Sequence, residues 1–223
     1  MDHIKTNLAH IKRQISRAAA GAPDAGKVRI MAVSKKQPES RIEEVLDAGQ
    51  RLFGENRVQE AASRWQARRV RYPDLEIHLI GPLQTNKVKE AVALFDAIQT
   101  LDREKLAAAL AAEMQAQKRF LPCFVQVNTG AEPQKSGVLP EETASFVTLC
   151  RDQYGLDVVG LMCLPPANEP PALHFALLKK LADESGLPER SMGMSADFEK
   201  AVPLGATYLR LGTALFGARP GHE

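Results

Sequence analysis

The sequence predicts one (β/α)8 barrel of the TIM type across residues 1–223, with an extra helix ahead of the first strand. Three observations lead there. Short β-type runs alternate with helical stretches of roughly 10–15 residues, the pattern of right-handed βαβ units on a parallel sheet. About eight such units fit into the chain, the count at which a parallel sheet closes on itself. An open doubly wound sheet usually carries a G-x-G-x-x-G turn after its first strand, whereas this first strand ends AVSKKQP.

Each element has its own signal. Ile4, Leu8, Ile11 and Ile15 share one helical face, and Gly21 and Pro23 stop that helix. Val28–Ser34 is the first strand; Pro38 opens a helix through Ile42, Val45 and Leu46 that Gly49 ends. Arg51–Gly54 is the second strand, followed by a helix through Val58, Ala61, Ala62 and Trp65. Glu76–Ile80 is the third, with a helix through Val88 and Val92. Phe95–Gln99 is the fourth, after which Asp102 caps an Ala-rich helix; the Ala-rich stretch 107–116 is helix propensity and close packing. Leu121–Asn128 is the fifth strand, with a helix from about Pro140 to Cys150. Asp157–Leu164 is the sixth, followed by the loop PPANEPP and a helix over Leu173–Ala182. Ser191–Met194 is a brief seventh, with a helix from Ala196 to Val202, and Thr207–Leu211 is the eighth.

Composition narrows the function classes. Lys+Arg total 29 against Asp+Glu 27, so no long-range field draws in a polyanion, which argues against a dedicated nucleic-acid binder. No apolar stretch is long enough to span a bilayer, and the N-terminus has no uninterrupted apolar core of a signal peptide. Cys123, Cys150 and Cys163 lie far apart inside apolar runs and read as reduced core thiols of a cytoplasmic protein. His3, His10, His174 and His222 share no metal-ligand spacing, and His78 reads as a hydrogen-bonded core residue. Arg68, Arg69 and Arg71 read as a solvated helix C-terminus. No metal site is expected.

In a parallel barrel the chemistry gathers at the C-terminal ends of the strands. The first such end carries Lys35 and Lys36. A lysine emerging from an apolar strand loses hydration, which frees its amine to attack a carbonyl. Strand alternation puts the two lysines on opposite faces without saying which face is interior. After the seventh strand SMGMSAD places Ser195 as the expected N-cap of the next helix, a preformed anion site. The eighth strand ends Arg210-Leu211-Gly212-Thr213, where Gly212 permits close backbone approach and Thr213 adds a hydroxyl. Barrels frequently bind phosphate with these last two loops. An aldehyde-seeking lysine and a phosphate cradle together suggest pyridoxal 5′-phosphate (PLP).

The segments AVSK (32–35), FGENRVQE (53–60), HLIGPLQTNK (78–87), KSG (135–137), GLMCLP (160–165), SMGMSADFEKAV (191–202) and RLGTALFG (210–217) occur in this order. Together they resemble the YggS-type pyridoxal-phosphate homeostasis proteins, which are similar to the fold-type-III barrel domain of alanine racemase. The resemblance runs from the first helix to Gly217. One departure is Ile77 before His78, where the family pattern has an aromatic residue. The resemblance implies that Lys35 is the Schiff-base lysine, holding PLP as an internal aldimine, and that Asn56 lies beside the cofactor. It also implies that Ser195, Gly212 and Thr213 cradle the phosphate and that Arg210 faces the pyridine nitrogen.

The function so implied is binding and homeostasis of PLP in the cytoplasm, without established catalytic turnover, by a monomer whose partners are the cofactor and apo PLP-dependent enzymes that receive it. No catalytic residue is assigned. The rival reading is a PLP-dependent amino-acid racemase; a Schiff-base aldolase acting on a phosphorylated sugar is the third. Racemisation needs a second acid/base, a tyrosine that alanine racemase takes from a C-terminal β-domain. This chain ends at Glu223, and Tyr72, Tyr154 and Tyr208 match no catalytic motif.

Overall fold

A computed structural model describes residues 2–22 and 28–218. The first helix, α1 (Asp2–Ala18), precedes an alternation of strands and helices: β1 (Arg29–Val33), α2 (Glu39–Asp47), β2 (Leu52–Glu55), α3 (Val58–Arg71), β3 (Glu76–Leu79), α4 (Val88–Leu94), β4 (Ala97–Leu101) and α5 (Glu104–Gln117). The second half continues with β5 (Cys123–Val127), α6 (Thr143–Thr148), β6 (Val158–Cys163), α7 (Pro171–Glu184), β7 (Glu189–Met194), α8 (Phe198–Ala201), β8 (Tyr208–Leu211) and α9 (Thr213–Phe216). The eight strands pair in parallel in sequence order, and β8 returns to β1 with Ala32 opposite Leu211. The sheet is a closed barrel, as the alternation predicts.

Two cores follow from strand alternation. Side chains facing outward pack against the helices: Phe53 lies 4.4 Å, ring to ring, from Trp65 of α3, and Ile77 is fully buried in the same layer, so an aliphatic side chain fills that site. Inside the barrel, Met31, Leu52, Phe124, Met162 and Tyr208 form a smaller apolar cluster. Gly54 makes room there, since a Cβ on it would meet Met31 Sδ at 2.7 Å and Ile80 Cδ1 at 2.8 Å. The apolar stripe of α1 buries Ile4, Leu8 and Ile11 against α8 and α9, and Asn7 donates to the Leu215 carbonyl at 3.0 Å.

Several local expectations shift. Gly49, at φ +89°, stops α2 as expected, and Gly21 turns the chain after α1 at φ +85°, whereas Pro23 lies outside the described residues. Strand β4 starts two residues later than the apolar run suggests, because the Asp96 carboxylate is taken up by Arg69 and Arg119 and by the Ile77 amide. Asp102 does not cap α5; Arg103 occupies the N-cap, and the Asp102 carboxylate pairs with the Arg103 guanidinium instead. The helix predicted to Cys150 continues as a wider π turn through Gln153. The arginine cluster is not merely solvated: Arg68 bridges Glu39 and Glu43, and Arg69 bonds Asp96 and the Leu94 carbonyl, tying α3 to its neighbours.

Candidate functional site

The barrel interior settles which lysine faces inward. Met31 belongs to the inner cluster, so Val33 continues its face and Ser34 points the other way. Lys35, in the turn just beyond the strand, lines the cavity at that rim together with Val33, and Lys36 does not. Ser34 is fully buried: its hydroxyl donates to Glu55 Oε1 at 2.6 Å, and its carbonyl accepts from Arg64 at 3.1 Å. Glu55 Oε1 also accepts from Arg64 (2.9 Å) and from the Trp65 indole (2.9 Å). This carboxylate joins β1, β2 and α3 directly behind Lys35. Lys36 is exposed and adopts φ +58° in the turn that follows.

A cavity of about 290 Å³ opens at the strand C-termini, and all six residues singled out in the sequence line it: Lys35, Asn56, Ser195, Arg210, Gly212 and Thr213. Lys36 is absent from its walls and lines a slightly smaller neighbouring cleft of about 250 Å³ with Lys35, Asn56, Arg57 and Glu60. Val33, Ile80, Leu164, Met194 and Ala196 supply the apolar remainder, a wall that sequence reasoning did not assign. Its signal was position: these residues lie at or just beyond strand ends. A larger cleft of about 560 Å³ shares Asn56 and runs past Arg57, Gln84 and Lys87, but it holds neither Lys35 nor the last two loops.

Ser195 acts differently from its predicted role. The N-cap of α8 is Asp197, whose carboxylate accepts from the Met194 amide at 2.6 Å. The loop after β7 runs two residues further than the sequence suggests, and this carries Ser195 toward the other loop. Its hydroxyl accepts from the Gly212 amide (3.2 Å) and the Ala214 amide (3.1 Å), so it joins the loops after β7 and β8. A serine oxygen has two lone pairs and one proton. Both lone pairs are engaged, which leaves the O–H to donate.

The remaining groups set the shape and polarity of the cavity. A Cβ on Gly212 would meet only Val33, at 3.7–3.9 Å, so this backbone stays open to close approach. Asn56 Oδ1 is buried without a hydrogen-bond partner, a polar atom of the kind that a ligand satisfies. Gly81 packs against Asn56 so closely that a Cβ would lie 2.2 Å from its carbonyl oxygen. Arg210, 4% exposed, donates to Ser191 Oγ at 2.7 Å and to the Cys163 carbonyl at 2.6 Å. Burial pulls its pKa below the ordinary guanidinium value, against the opposing pull of Cys163 and Asp197. Burial likewise pushes the Cys163 thiol up to about 12, so it stays protonated. His78 is the hydrogen-bonded core residue expected, joined to Glu76 and Gln99.

Residues 6–220 match the family described as alanine racemase, N-terminal domain. The chain belongs to that family. Within it, the chain is 40% identical over 225 residues to a pyridoxal phosphate homeostasis protein of Pseudomonas aeruginosa, covering 98% of this chain and 97% of that protein. It is 36% identical over 229 residues to the protein of that name in Escherichia coli, covering 98% of each. Among solved structures, PipY of Synechococcus elongatus without PLP superposes with a TM-score of 0.84 at 36% identity, covering 96% of this chain and all of that one. PipY with PLP bound superposes at 0.80 and 34% identity, with the same coverage. An alanine racemase of Clostridium difficile shares the fold at 0.74 and 16% identity, the match spanning 58% of that chain.

Proposed function

We propose that this protein binds PLP in the cavity at the strand C-termini, held covalently by Lys35, and serves intracellular PLP homeostasis by keeping the cofactor and passing it to apo PLP-dependent enzymes. The observation that carries the reading is the convergence of an inward lysine, the hydroxyls of Ser195 and Thr213 from the last two loops, and a buried arginine on one cavity. The names of the full-length relatives and the PLP-bound PipY structure support it. When bound, PLP supplies an aldehyde that amines attack and a ring that withdraws electrons.

Each residue has a task that its chemistry suits. The Lys35 amine is the attachment point, held at the rim by the bonds on Ser34. The uncommitted Ser195 O–H, the open backbone at Gly212 and the Thr213 hydroxyl would hold the phosphate. Asn56, with its unpartnered amide oxygen, lies on the same wall. Arg210 stays protonated and can only donate, so it keeps a second positive charge off the ring nitrogen it would face.

The fold shared with alanine racemase favours the racemase as a second reading. It needs a second acid/base, and none of the residues lining the cavity is a tyrosine, histidine, cysteine or carboxylate. Tyr72 lies under Arg51 and Arg71, Tyr154 donates to Glu104, and Tyr208 accepts from Arg29 near the opposite end of the barrel. The test is the visible spectrum of PLP-loaded protein before and after borohydride, with peptide mapping of the labelled lysine. The label should map to Lys35, vanish in Lys35→Ala and persist in Lys36→Ala; a label on Lys36 would overturn the assignment. A chiral-product assay on L-alanine that reached about 1–1,000 turnovers per second would promote the racemase.

A further inference from the structure

Four polar side chains occupy the barrel interior where branched apolar residues usually pack: Arg210, Ser191, Gln99 and His78, each at most 4% exposed. They form one line. Arg210 meets Ser191 Oγ at 2.7 Å, Ser191 meets Gln99 Oε1 at 2.6 Å, Gln99 Nε2 meets His78 Nδ1 at 2.9 Å, and His78 Nε2 meets Glu76 Oε1 at 2.7 Å. The Ser191–Gln99 bond crosses the barrel between β7 and β4, which are not neighbours in the sheet. Glu76, at the start of β3, is one-third exposed and paired with Arg29 at the opposite mouth.

The donors run one way throughout. A guanidinium can only donate, so the Ser191 hydroxyl accepts from Arg210 and spends its proton on Gln99. That orients the Gln99 amide with its oxygen toward Ser191 and its N–H toward His78. His78 Nδ1 therefore accepts, its proton resides on Nε2, and that proton points to the Glu76 carboxylate. Among the described residues Arg210 makes no ion-pair contact; its guanidinium bonds Ser191 and the Cys163 carbonyl, and the Asp197 carboxylate acts on it only through space. A buried cation without a contacting counter-ion is costly. Here an aligned series of dipoles connects it to an anion at the far mouth, and such chains strengthen one another in low dielectric.

We infer that Ser191, Gln99 and His78 are positioning residues: together they fix the Arg210 guanidinium beneath the cofactor cavity and hold His78 as the neutral Nε2–H tautomer. The positioning effect on PLP rests on the binding reading above; the tautomer does not.

Two measurements separate these claims. Nitrogen-15 NMR of histidine-labelled protein near neutral pH, without and with PLP, should show His78 neutral with its proton on Nε2. Gln99→Glu would present a second acceptor to Nδ1 and should convert His78 to the imidazolium. A wild-type His78 that is doubly protonated, or protonated on Nδ1, would overturn the chain. Gln99→Met should release PLP about fivefold faster or more, and shift the visible band of what remains. Gln99→Glu, which still accepts from Ser191, should restore much of the retention. Ser191→Ala removes the Arg210 acceptor with little change in volume and should repeat the Gln99→Met result if that variant fails to fold. Wild-type retention and spectrum in folded Gln99→Met or Ser191→Ala would refute the positioning role. Failure of the wild-type protein itself to retain PLP would refute the binding reading and leave the NMR result to decide the chain.

Discussion

Ser195→Ala tests the proposed phosphate cradle because the structure gives the hydroxyl one job and the proposal adds a second, separable one. As an acceptor it satisfies the Gly212 and Ala214 amides at 3.2 and 3.1 Å. Each such bond contributes about 0.5–1.5 kcal/mol net. Both amides are part-buried and water can take over some of the loss, so stability should fall by about 1–2 kcal/mol, a Tm shift of roughly 2–8 °C for a chain of this size. As a donor the O–H has one proton left for a phosphate oxygen, a charge-assisted bond contributing about 1.5–3 kcal/mol. PLP affinity should therefore fall roughly tenfold to a hundredfold, at 1.4 kcal/mol per decade. Equilibrium dialysis of PLP and of pyridoxal against both proteins separates the two jobs. The variant should lose affinity for PLP and bind pyridoxal like the wild type. Equal loss for both ligands would assign Ser195 to the loop alone; no loss for PLP would refute the cradle.

Three further perturbations follow from the geometry. Glu55→Ala strands the Ser34 hydroxyl and the Trp65 indole and takes one acceptor from Arg64, which keeps Glu39 and the Ser34 carbonyl. It should cost about 3–5 kcal/mol in urea denaturation, from about 1–3 kcal/mol for each buried donor left unpaired; a loss under about 1 kcal/mol would show that the joint is dispensable. Burial alone would raise the Glu76 carboxyl, but His78 and Arg29 outweigh it and hold it at about 2. A depressed folded value contributes stability that is present above the ordinary carboxylate range and lost as pH falls toward 2. Glu76→Gln should therefore trail the wild type at neutral pH and converge with it on acidification; a constant gap would contradict the linkage. Gly81→Ala puts a Cβ 2.2 Å from the Asn56 carbonyl oxygen, so it should displace Asn56 and weaken PLP retention more than Tm, as paired dialysis and thermal melts would show.

What the sequence disclosed and what it withheld divide along a physical line. Periodicity reports which face of an element is buried, and so the eight strands, the stripe Ile4–Leu8–Ile11 and the glycine stop at Gly49 were all legible. Partnership between side chains distant in sequence is a tertiary fact with no local signature. Ser195 looks like the cap of its own helix because Ser before a helix usually is; only the folded loops show its oxygen bonded to Gly212 and Ala214. Lys35 and Lys36 are equivalent until Lys35 is seen to line the cavity with Val33 and Lys36 is not. Glu55 lay inside a quoted motif yet drew no role, since a carboxylate in a strand reads as surface until Ser34, Arg64 and Trp65 are seen to close on it. Arg69 reads as solvated for the same reason, its partner Asp96 belonging to another βα unit.

The cavity depends on closure of the sheet rather than on any one loop. Lys35 follows β1 and the Ser195–Gly212–Thr213 cradle follows β7 and β8, so in an open sheet numbered in chain order they would stand at opposite edges. The pairing of β8 with β1, Ala32 opposite Leu211, brings both to one rim. The extra helix α1 bears on this side of the molecule: it buries its apolar stripe against α8 and α9 and bonds the Leu215 carbonyl one turn beyond the cradle. The elements that carry the cradle are short, α8 and α9 having four residues each. Helices of that length do not persist unaided. Packing of α1 supplies the burial they lack, which gives a helix outside the eightfold repeat a direct part in holding the site.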